Sequence, residues 1–313
     1  MITKIAGVDI LWNCQRDTEL QKLSDLFRYH VMETCIPCEG YHTVNFITVT
    51  TCFIPHGIMN LKWEGNYMNV DFHVYDSPTT DEEIIILSEE TWIVHNRKVK
   101  KTDCYVYDKG LNGQDLDQHT IDAVLIILHA VMAMNHRYVL HAASVTINDE
   151  AFVFLGESGL GKSTLCASLL EQGADYMGDD IVFLYINNKQ LMIGGLLFDG
   201  KLYPNTKSQI KSSYDLIKRY SCRGVLRAPL NSIYCINRTG KEISTLKRRF
   251  SYETMLSLMR ASNNIRMQYD SDVWLDICQQ TAETIPTYIL NYGSIGSVSI
   301  PLLTDRNIFQ DGH

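Results

Sequence analysis

Two periods of hydrophobic and polar residues divide the chain, and the change falls near residue 113. Before it, short runs rich in Val, Ile, Thr, Tyr and Trp are separated by Pro, Gly, Asn and Asp, which is typical of strands in a mostly antiparallel sheet. The predicted strands are 44–49, 69–75, 83–87, 91–94 and 104–107. Residues 17–31 could form one short helix. The pattern therefore predicts a β-rich domain over residues 1–112.

From Asp115 onward the apolar residues recur at helical spacing, which predicts one long helix with a buried face. They are Ile121, Val124, Leu125, Leu128, Val131 and Met132. Strands and helices then follow one another, with strands predicted at 139–147, 151–155, 181–193, 230–236 and 287–290, and helices from Gly161, at 252–261 and at 273–281. This succession predicts an α/β domain over residues 113–313.

Composition narrows the classes of partner. The 313 residues suit two domains, and 45% hydrophobic against 20% charged residues is typical of a folded chain. Asp and Glu number 36 and Lys and Arg 28, giving a net charge of −8. Nucleic acids and anionic membranes attract a surplus of cations, so we expect neither as a partner.

Segment lengths and cysteines suggest a cytoplasmic protein. The most apolar segment, Ala123–Met134, is too short for the roughly 20 residues that span a bilayer. The N-terminus carries Asp9 within its apolar stretch, unlike a signal peptide. Nine scattered cysteines suit a reducing compartment, where the sequon at Asn237 would not be glycosylated.

A Cys-x-x-Cys pair, Cys35 and Cys38, has His30 and His42 nearby, so a zinc site is conceivable. All four ligands would come from one short stretch, however, and a redox pair would need a helix start. We favour inert thiols. Two basic clusters, 97–101 and 247–249, fit solvated edges, although either could meet an acidic peptide.

The most specific motif is the string GESGLGKST, which matches G-x-x-x-x-G-K-[ST] and stands between an apolar strand and an amphipathic segment. Backbone N–H groups of such a loop surround phosphate oxygens, and the helix start adds positive charge. Lys162 would neutralise the β- and γ-phosphates, and Ser163 would offer its hydroxyl to Mg²⁺. The residues predicted to bind a nucleoside triphosphate are Gly156, Glu157, Ser158, Gly159, Leu160, Gly161, Lys162, Ser163 and Thr164.

Two adjacent carboxylates, Asp179 and Asp180, precede the next apolar strand. In phosphoryl transfer to a hydroxyl, one carboxylate can hold Mg²⁺ while the other accepts the hydroxyl proton. The sequence contains neither the LSGGQ-type signature of transporter ATPases nor the N-K-x-D base reader of guanine-nucleotide switches. His141, on the strand before the phosphate-loop strand, is either a core histidine or a group that orients the base.

Together, the histidine, the phosphate loop and the acidic pair resemble the HPr kinase/phosphorylase family, and most closely the related kinases of lasso peptide and other peptide-modification clusters. Residues 140–180 carry the resemblance, and residues 228–237 are similar to a later family strand. The resemblance implies a fold like that of phosphoenolpyruvate carboxykinase, with ATP and Mg²⁺ as cofactors. It implies an oligomer as well.

The resemblance also implies roles. Asp179 would be the base acting on a Ser or Thr hydroxyl, His141 its partner and Asp180 the nearby metal or substrate carboxylate; the sequence leaves open which carboxylate is the base. Arg223 and Gly224 resemble an Arg-Gly segment of the family, so Arg223 is a candidate phosphate contact. Arg227 is a weaker candidate.

Thr164 stands where HPr kinases carry Glu, which argues against a phosphorylase activity and against HPr as the substrate. The expected function is a kinase acting on a Ser/Thr hydroxyl of a precursor peptide. The alternatives are a kinase for a free amino acid or an HPr-like carrier, and a regulatory ATPase that switches a partner. The β-rich domain would serve substrate recognition or oligomerisation.

Overall fold

The structure is a computed structural model that describes residues 1–32, 41–49, 60–67, 70–76, 82–88, 91–107, 118–202, 212–239, 244–262, 271–293 and 297–305. Among these residues the chain separates into two compact units, the first ending at Asn135 and the second beginning at His136. The long helix predicted to open the α/β domain thus groups with the β-rich unit.

One eight-stranded sheet dominates the first unit, in the order β1-β2-β3-β8-β7-β6-β5-β4. Its pairs are antiparallel except for β2–β3 and β3–β8, which are parallel. The elements are β1 (Ile2–Ile5), β2 (Val8–Cys14), α1 (Asp17–Leu26), β3 (His42–Val49), β4 (Asn60–Tyr67), β5 (Val70–Asp76), β6 (Glu82–Ser88), β7 (Thr91–Asn96), β8 (Lys101–Tyr107) and α2 (Gln118–Met134). The sequence pattern did not predict β1, β2 and β4, and α1 is shorter than the predicted helix.

Buried histidines are a feature of this first unit. The rings of His42 and His95 stack with centroids 5.4 Å apart. The Oγ1 atom of Thr102 lies 2.8 Å from Nε2 of His42 and 2.7 Å from Nδ1 of His95. His30 and His129 are also buried. The apolar core of this unit includes Trp12, which stacks on Phe27 and Phe46.

The second unit is built on a nine-stranded sheet in the order β12-β10-β11-β17-β14-β13-β9, with β19 paired to β17 and β18 paired to β19. The strands β11, β17 and β19 are parallel to one another. The elements are β9 (Tyr138–Leu140), β10 (Ala142–Ile147), β11 (Glu150–Leu155), α3 (Lys162–Glu171), β12 (Asp175–Gly178), β13 (Val182–Asn187), β14 (Gln190–Gly195), β15 (Gly200–Leu202), β16 (Ser212–Tyr214), α4 (Leu216–Tyr220), β17 (Arg227–Arg238), β18 (Thr245–Arg248), α5 (Ser251–Ser262), α6 (Ser271–Thr284), β19 (Thr287–Tyr292) and α7 (Ile300–Thr304).

Two predicted strands differ in the structure. The run 139–147 is divided at His141, because β9 pairs with β13 whereas β10 pairs with β11 and β12. The run 181–193 is a hairpin of β13 and β14, turning at Asn188 and Lys189 with φ of 48° and 67°. Two positive φ values suit the tight turn that joins twisted antiparallel strands. The fold is mixed α/β, and among its described helices none has the length and apolarity to cross a membrane.

Candidate functional site

The strand register brings three parts of the sequence to one edge of the second unit's sheet. Ala142 pairs with Leu155, so His141 at the start of β10 is level with Gly156 at the end of β11. Ser144 pairs with Gly178, so the chain leaves β12 toward Asp179 at the same edge. Antiparallel neighbours place the start of one strand beside the end of the next. The histidine, the phosphate loop and the acidic pair therefore lie together.

The loop after β11 has the backbone that phosphate binding requires. Gly159 and Gly161 have φ of 86° and 97°, in the left-handed region that glycine adopts without strain. The helix α3 begins at Lys162, so its first N–H groups follow the loop directly. Glu157, Ser158 and Thr164 are exposed, whereas Lys162 and Ser163 are buried. A helix start after a glycine-rich turn suits an anion.

Lys162 folds back over its own loop. Its Nζ donates to the carbonyl oxygen of Gly156 at 2.8 Å and lies 3.3 Å from that of Glu157. The same Nζ is 3.2 Å from Nε2 of His141. The loop cation and the upstream histidine are thus in direct contact.

His141 lies between Lys162 and the acidic pair: its ring contacts Lys162 Nζ, and it is close enough to Asp180 for that residue to act on its pKa. Burial lowers the pKa of His141, and the Lys162 cation lowers it further, while Asp180 acts in the opposite direction. A neutral imidazole can accept from Lys162 at Nε2 and carry its proton on Nδ1. The structure therefore gives His141 a contact with the loop cation that the sequence did not indicate.

The acidic pair occupies the crossing between β12 and β13. Asp179 is buried, and Asp180 is half-buried with φ of 69°. A side chain on Gly178 would put its Cβ 3.0 Å from the carbonyl oxygen of Ile181, so glycine allows this tight crossing. Burial raises the pKa of Tyr176, and the negative charge of Asp179 adds to that rise. Asp179 therefore lies on the buried side of the site, close enough to Tyr176 to act on its pKa.

Arg223 lies at the far end of β12, away from the loop. Its guanidinium donates to Asp175 at 2.6 and 2.9 Å and to Asp149 at 2.9 Å. Asp149 belongs to the hairpin turn between β10 and β11, and β11 runs from this turn to the loop. At about 3.3 Å per residue, its six residues separate the two ends by about 20 Å. The structure therefore does not bring Arg223 to the predicted phosphate site; it is an ion-pair partner there. Arg227, at the start of β17, is exposed.

Tyr292 contacts the loop from behind, although no sequence motif marks it. Its hydroxyl, at the end of β19, donates to the carbonyl oxygen of Leu160. A Cβ on Gly161 would lie 2.7 Å from that hydroxyl, and one on Gly156 would lie 2.7 Å from Cγ1 of Ile236. The ends of β17 and β19 thus form a wall behind the loop. No local sequence signal marks it, since it depends on strand pairing.

A metal would find oxygen donors here. The Ser163 hydroxyl and the Asp180 carboxylate are the hard ligands that Mg²⁺ prefers, with nucleotide phosphates and water completing its shell. Within the described ranges, no group of three or more His, Cys, Asp or Glu could hold a metal ion. Cys35 and Cys38, the zinc candidates of the sequence, lie outside the described residues.

Comparisons with known proteins add a distant structural similarity. No protein-family model matches the sequence, and no curated protein matches it. Among solved structures, the chain is similar to the Hpr(Ser) kinase/phosphatase from Coxiella burnetii, with 14% sequence identity and a TM-score of 0.34. The match covers 56% of this chain and 99% of that one.

Proposed function

We propose that this protein is an ATP-dependent kinase that transfers the γ-phosphate to a Ser or Thr hydroxyl of a peptide or protein, with a ribosomally made precursor peptide as the preferred substrate. The observation that carries the proposal is the position of His141, which contacts Lys162 and lies close enough to Asp180 for that residue to act on its pKa. It unites a phosphate-binding cation with paired carboxylates, and phosphoryl transfer needs both within one site.

Each group has a defined task in this scheme. The loop amides and Lys162 hold the β- and γ-phosphates, which requires the Lys162 ammonium to leave the carbonyl oxygens that it now contacts. The oxygen of the substrate hydroxyl forms a bond to the γ-phosphorus while the bond from the γ-phosphorus to the oxygen of ADP breaks. Asp179 accepts the proton that the hydroxyl releases. Mg²⁺, held by Ser163 and Asp180 with the phosphates, would neutralise charge on the transferring group.

His141 positions these groups relative to each other. A neutral ring between Lys162 and Asp180 keeps the Lys162 ammonium beside the acidic pair without adding a second positive charge. Asp179 is buried whereas Asp180 is half-buried, so the two adjacent carboxylates have different surroundings, and one can be a base and the other a metal ligand.

A transfer assay with γ-labelled ATP, Mg²⁺ and candidate peptides tests the proposal, with mass spectrometry locating the phosphate. Asp179→Asn keeps the shape of the base but removes its charge, so transfer should fall by roughly 10²- to 10⁴-fold while ATP still binds. Lys162→Ala should weaken both ATP binding and turnover. The exposed Asp276→Asn on α6 is the matched control and should behave as wild type.

The distribution of the label decides between the candidate functions. Label on a peptide hydroxyl supports the kinase, and label on a free amino acid or an HPr-like carrier changes its substrate. Label released only as free phosphate, at a rate raised by a partner protein, would instead identify a regulatory ATPase. If Asp180→Asn abolishes transfer and Asp179→Asn does not, the base is Asp180.

A further inference from the structure

The outer edge of β18 combines three properties that the proposed site does not use. Among the described strands, β18 pairs only with β19, so no described strand covers its other edge. Thr245, Lys247 and Arg248 on this strand are exposed. An open strand edge presents backbone N–H and C=O groups to which an extended peptide can add.

An exposed apolar patch follows the strand directly. The rings of Phe250 and Tyr252 are 69% and 65% exposed and stack with centroids 6.2 Å apart. Leu256, one helical turn further along α5, is 49% exposed. A cleft of about 250 Å³ lies at the corner between strand and helix, lined among others by Arg248, Phe250 and Glu283. Clustered exposed aromatic side chains are typical of interaction sites.

The charge of the edge selects the partner. Lys247 and Arg248 are exposed cations on a chain whose net charge is −8. The neighbouring Arg249 is engaged with Cys235, Ser257 and Glu253, so it serves the fold. Like charges would repel a second copy of the same edge, whereas an acidic strand would be attracted.

The edge also leads to the phosphate loop. β18 is antiparallel to β19, with Thr245 opposite Asn291 and Arg248 opposite Tyr288. Thr245 is therefore at the end of β18 that lies near Tyr292, whose hydroxyl contacts the loop. Two strand spacings separate a docked peptide from β19 by about 10 Å, a distance that about three extended residues cover.

We propose that the edge of β18, with Phe250 and Tyr252, is the docking site for an acidic, extended segment of the peptide substrate. This inference rests on the proposed kinase function and specifies its substrate. The segment adds antiparallel to β18, the commoner pairing. Its C-terminal end then emerges at the loop, so the acceptor hydroxyl follows the acidic segment by about three to five residues.

Binding can be measured without nucleotide, by fluorescence anisotropy of a labelled peptide in which Glu alternates with Val, with one Phe and a Ser beyond its C-terminal end. A peptide with Lys in place of Glu is the control ligand. We expect the acidic peptide to bind and the basic one not to bind. Methylating one alternate set of peptide amides should abolish binding while methylating the other set should not, because only alternate residues face β18.

The paired charge reversal Lys247→Glu with Arg248→Glu should weaken binding by roughly tenfold or more, and the loss should diminish at high salt. The matched control, Lys98→Glu with Lys189→Glu, changes two other exposed lysines and should bind normally. Phe250→Ser should weaken binding without altering its salt dependence.

Transfer of labelled phosphate to the same peptide separates this proposal from the proposed function. Salt-sensitive binding that the reversal removes, without any transfer, supports the docking site and overturns the kinase. Transfer with equal binding by the reversed variant, or with equal binding of the basic peptide, overturns the docking site and leaves the kinase. A dimer that the reversal converts to monomers, with no peptide bound, would show that a second copy occupies the edge.

Discussion

The first unit should unfold at a higher pH than a typical domain does on acidification, because it buries four neutral histidines. Burial lowers the pKa of His42 to about 3 and of His95 to about 4, and it lowers that of His30 to about 4 and of His129 to about 3. The proximity of His95 lowers the pKa of His42 further. All four rings are therefore neutral in the folded protein throughout the range from pH 7 to pH 5.

The sign follows from proton binding by the unfolded chain. An unfolded histidine has a pKa of 6.5, so below that pH the unfolded state binds more protons and the free energy of unfolding decreases as the pH falls. Between pH 7 and pH 5 each ring removes about 2 kcal/mol, and the four together about 8 kcal/mol. That is comparable to the entire stability of an ordinary domain, about 5–15 kcal/mol.

Urea unfolding of the full chain at pH 7 and pH 5, followed by tryptophan fluorescence, measures this loss. The Trp274→Phe background restricts the signal to the first unit, which holds the other three tryptophans. In that background His42→Gln with His95→Gln should be less stable at pH 7, since the stacked pair sharing Thr102 is lost. Its stability should, however, fall by about 4 kcal/mol less on acidification.

Ile93→Val, at a buried position of β7, is the control within the same unit: it removes no titratable group, so it should lower the stability equally at pH 7 and pH 5. The buried-histidine mechanism fails if the double variant loses as much stability between pH 7 and pH 5 as the background does. It also fails if the background keeps its full stability at pH 5.

Three further changes test the second unit. Tyr292→Phe removes the hydrogen bond to the loop carbonyl of Leu160, so ATP should bind roughly five- to tenfold more weakly by isothermal calorimetry with little change in Tm; unchanged affinity would mean that the wall does not hold the loop. His141→Ala should lower the rate of phosphoryl transfer per folded molecule by more than about tenfold, and His141→Gln should retain more of that rate. A lower Tm with a normal transfer rate would instead make His141 a core residue. Gly195→Ala would force a Cβ to within 2.0 Å of the carbonyl oxygen of Met177, so we expect a loss of more than about 3 kcal/mol in urea unfolding, and wild-type stability would show that this backbone contact can relax.

The sequence predicted those strands and helices whose hydrophobic and polar residues follow a regular local pattern. Alternation and turn residues located β3 and β5 to β8, and helical spacing located α2, because burying one face imposes these periods on the sequence. The glycine-rich loop and the acidic pair could likewise be identified from the sequence, since each is a short contiguous string. Their meeting at one edge follows from the register of β10, β11 and β12.

Features that depend on strand pairing were not predictable. The run 139–147 is apolar almost throughout, so nothing in it marks the change of partner at His141. β12 has only four residues and begins with Asp175, too short and polar for a clear period. The position of Arg223 depends on two carboxylates 48 and 74 residues earlier in the chain. The contact between Tyr292 and Leu160 is equally nonlocal.

The wall behind the phosphate loop sets the order in which the second unit can be completed during translation. Leu160 and Tyr292 are 132 residues apart, and β17, the strand that joins β11 to β19, is also made after the loop. At about 5–20 residues per second, the ribosome needs about 7–26 s to extend the chain from Leu160 to Tyr292. During this interval β11 exposes one edge until β17 is made, and β17 then exposes its own outer edge until β19 is made. Nascent chains that pause before β19 should therefore be the species that most needs chaperones.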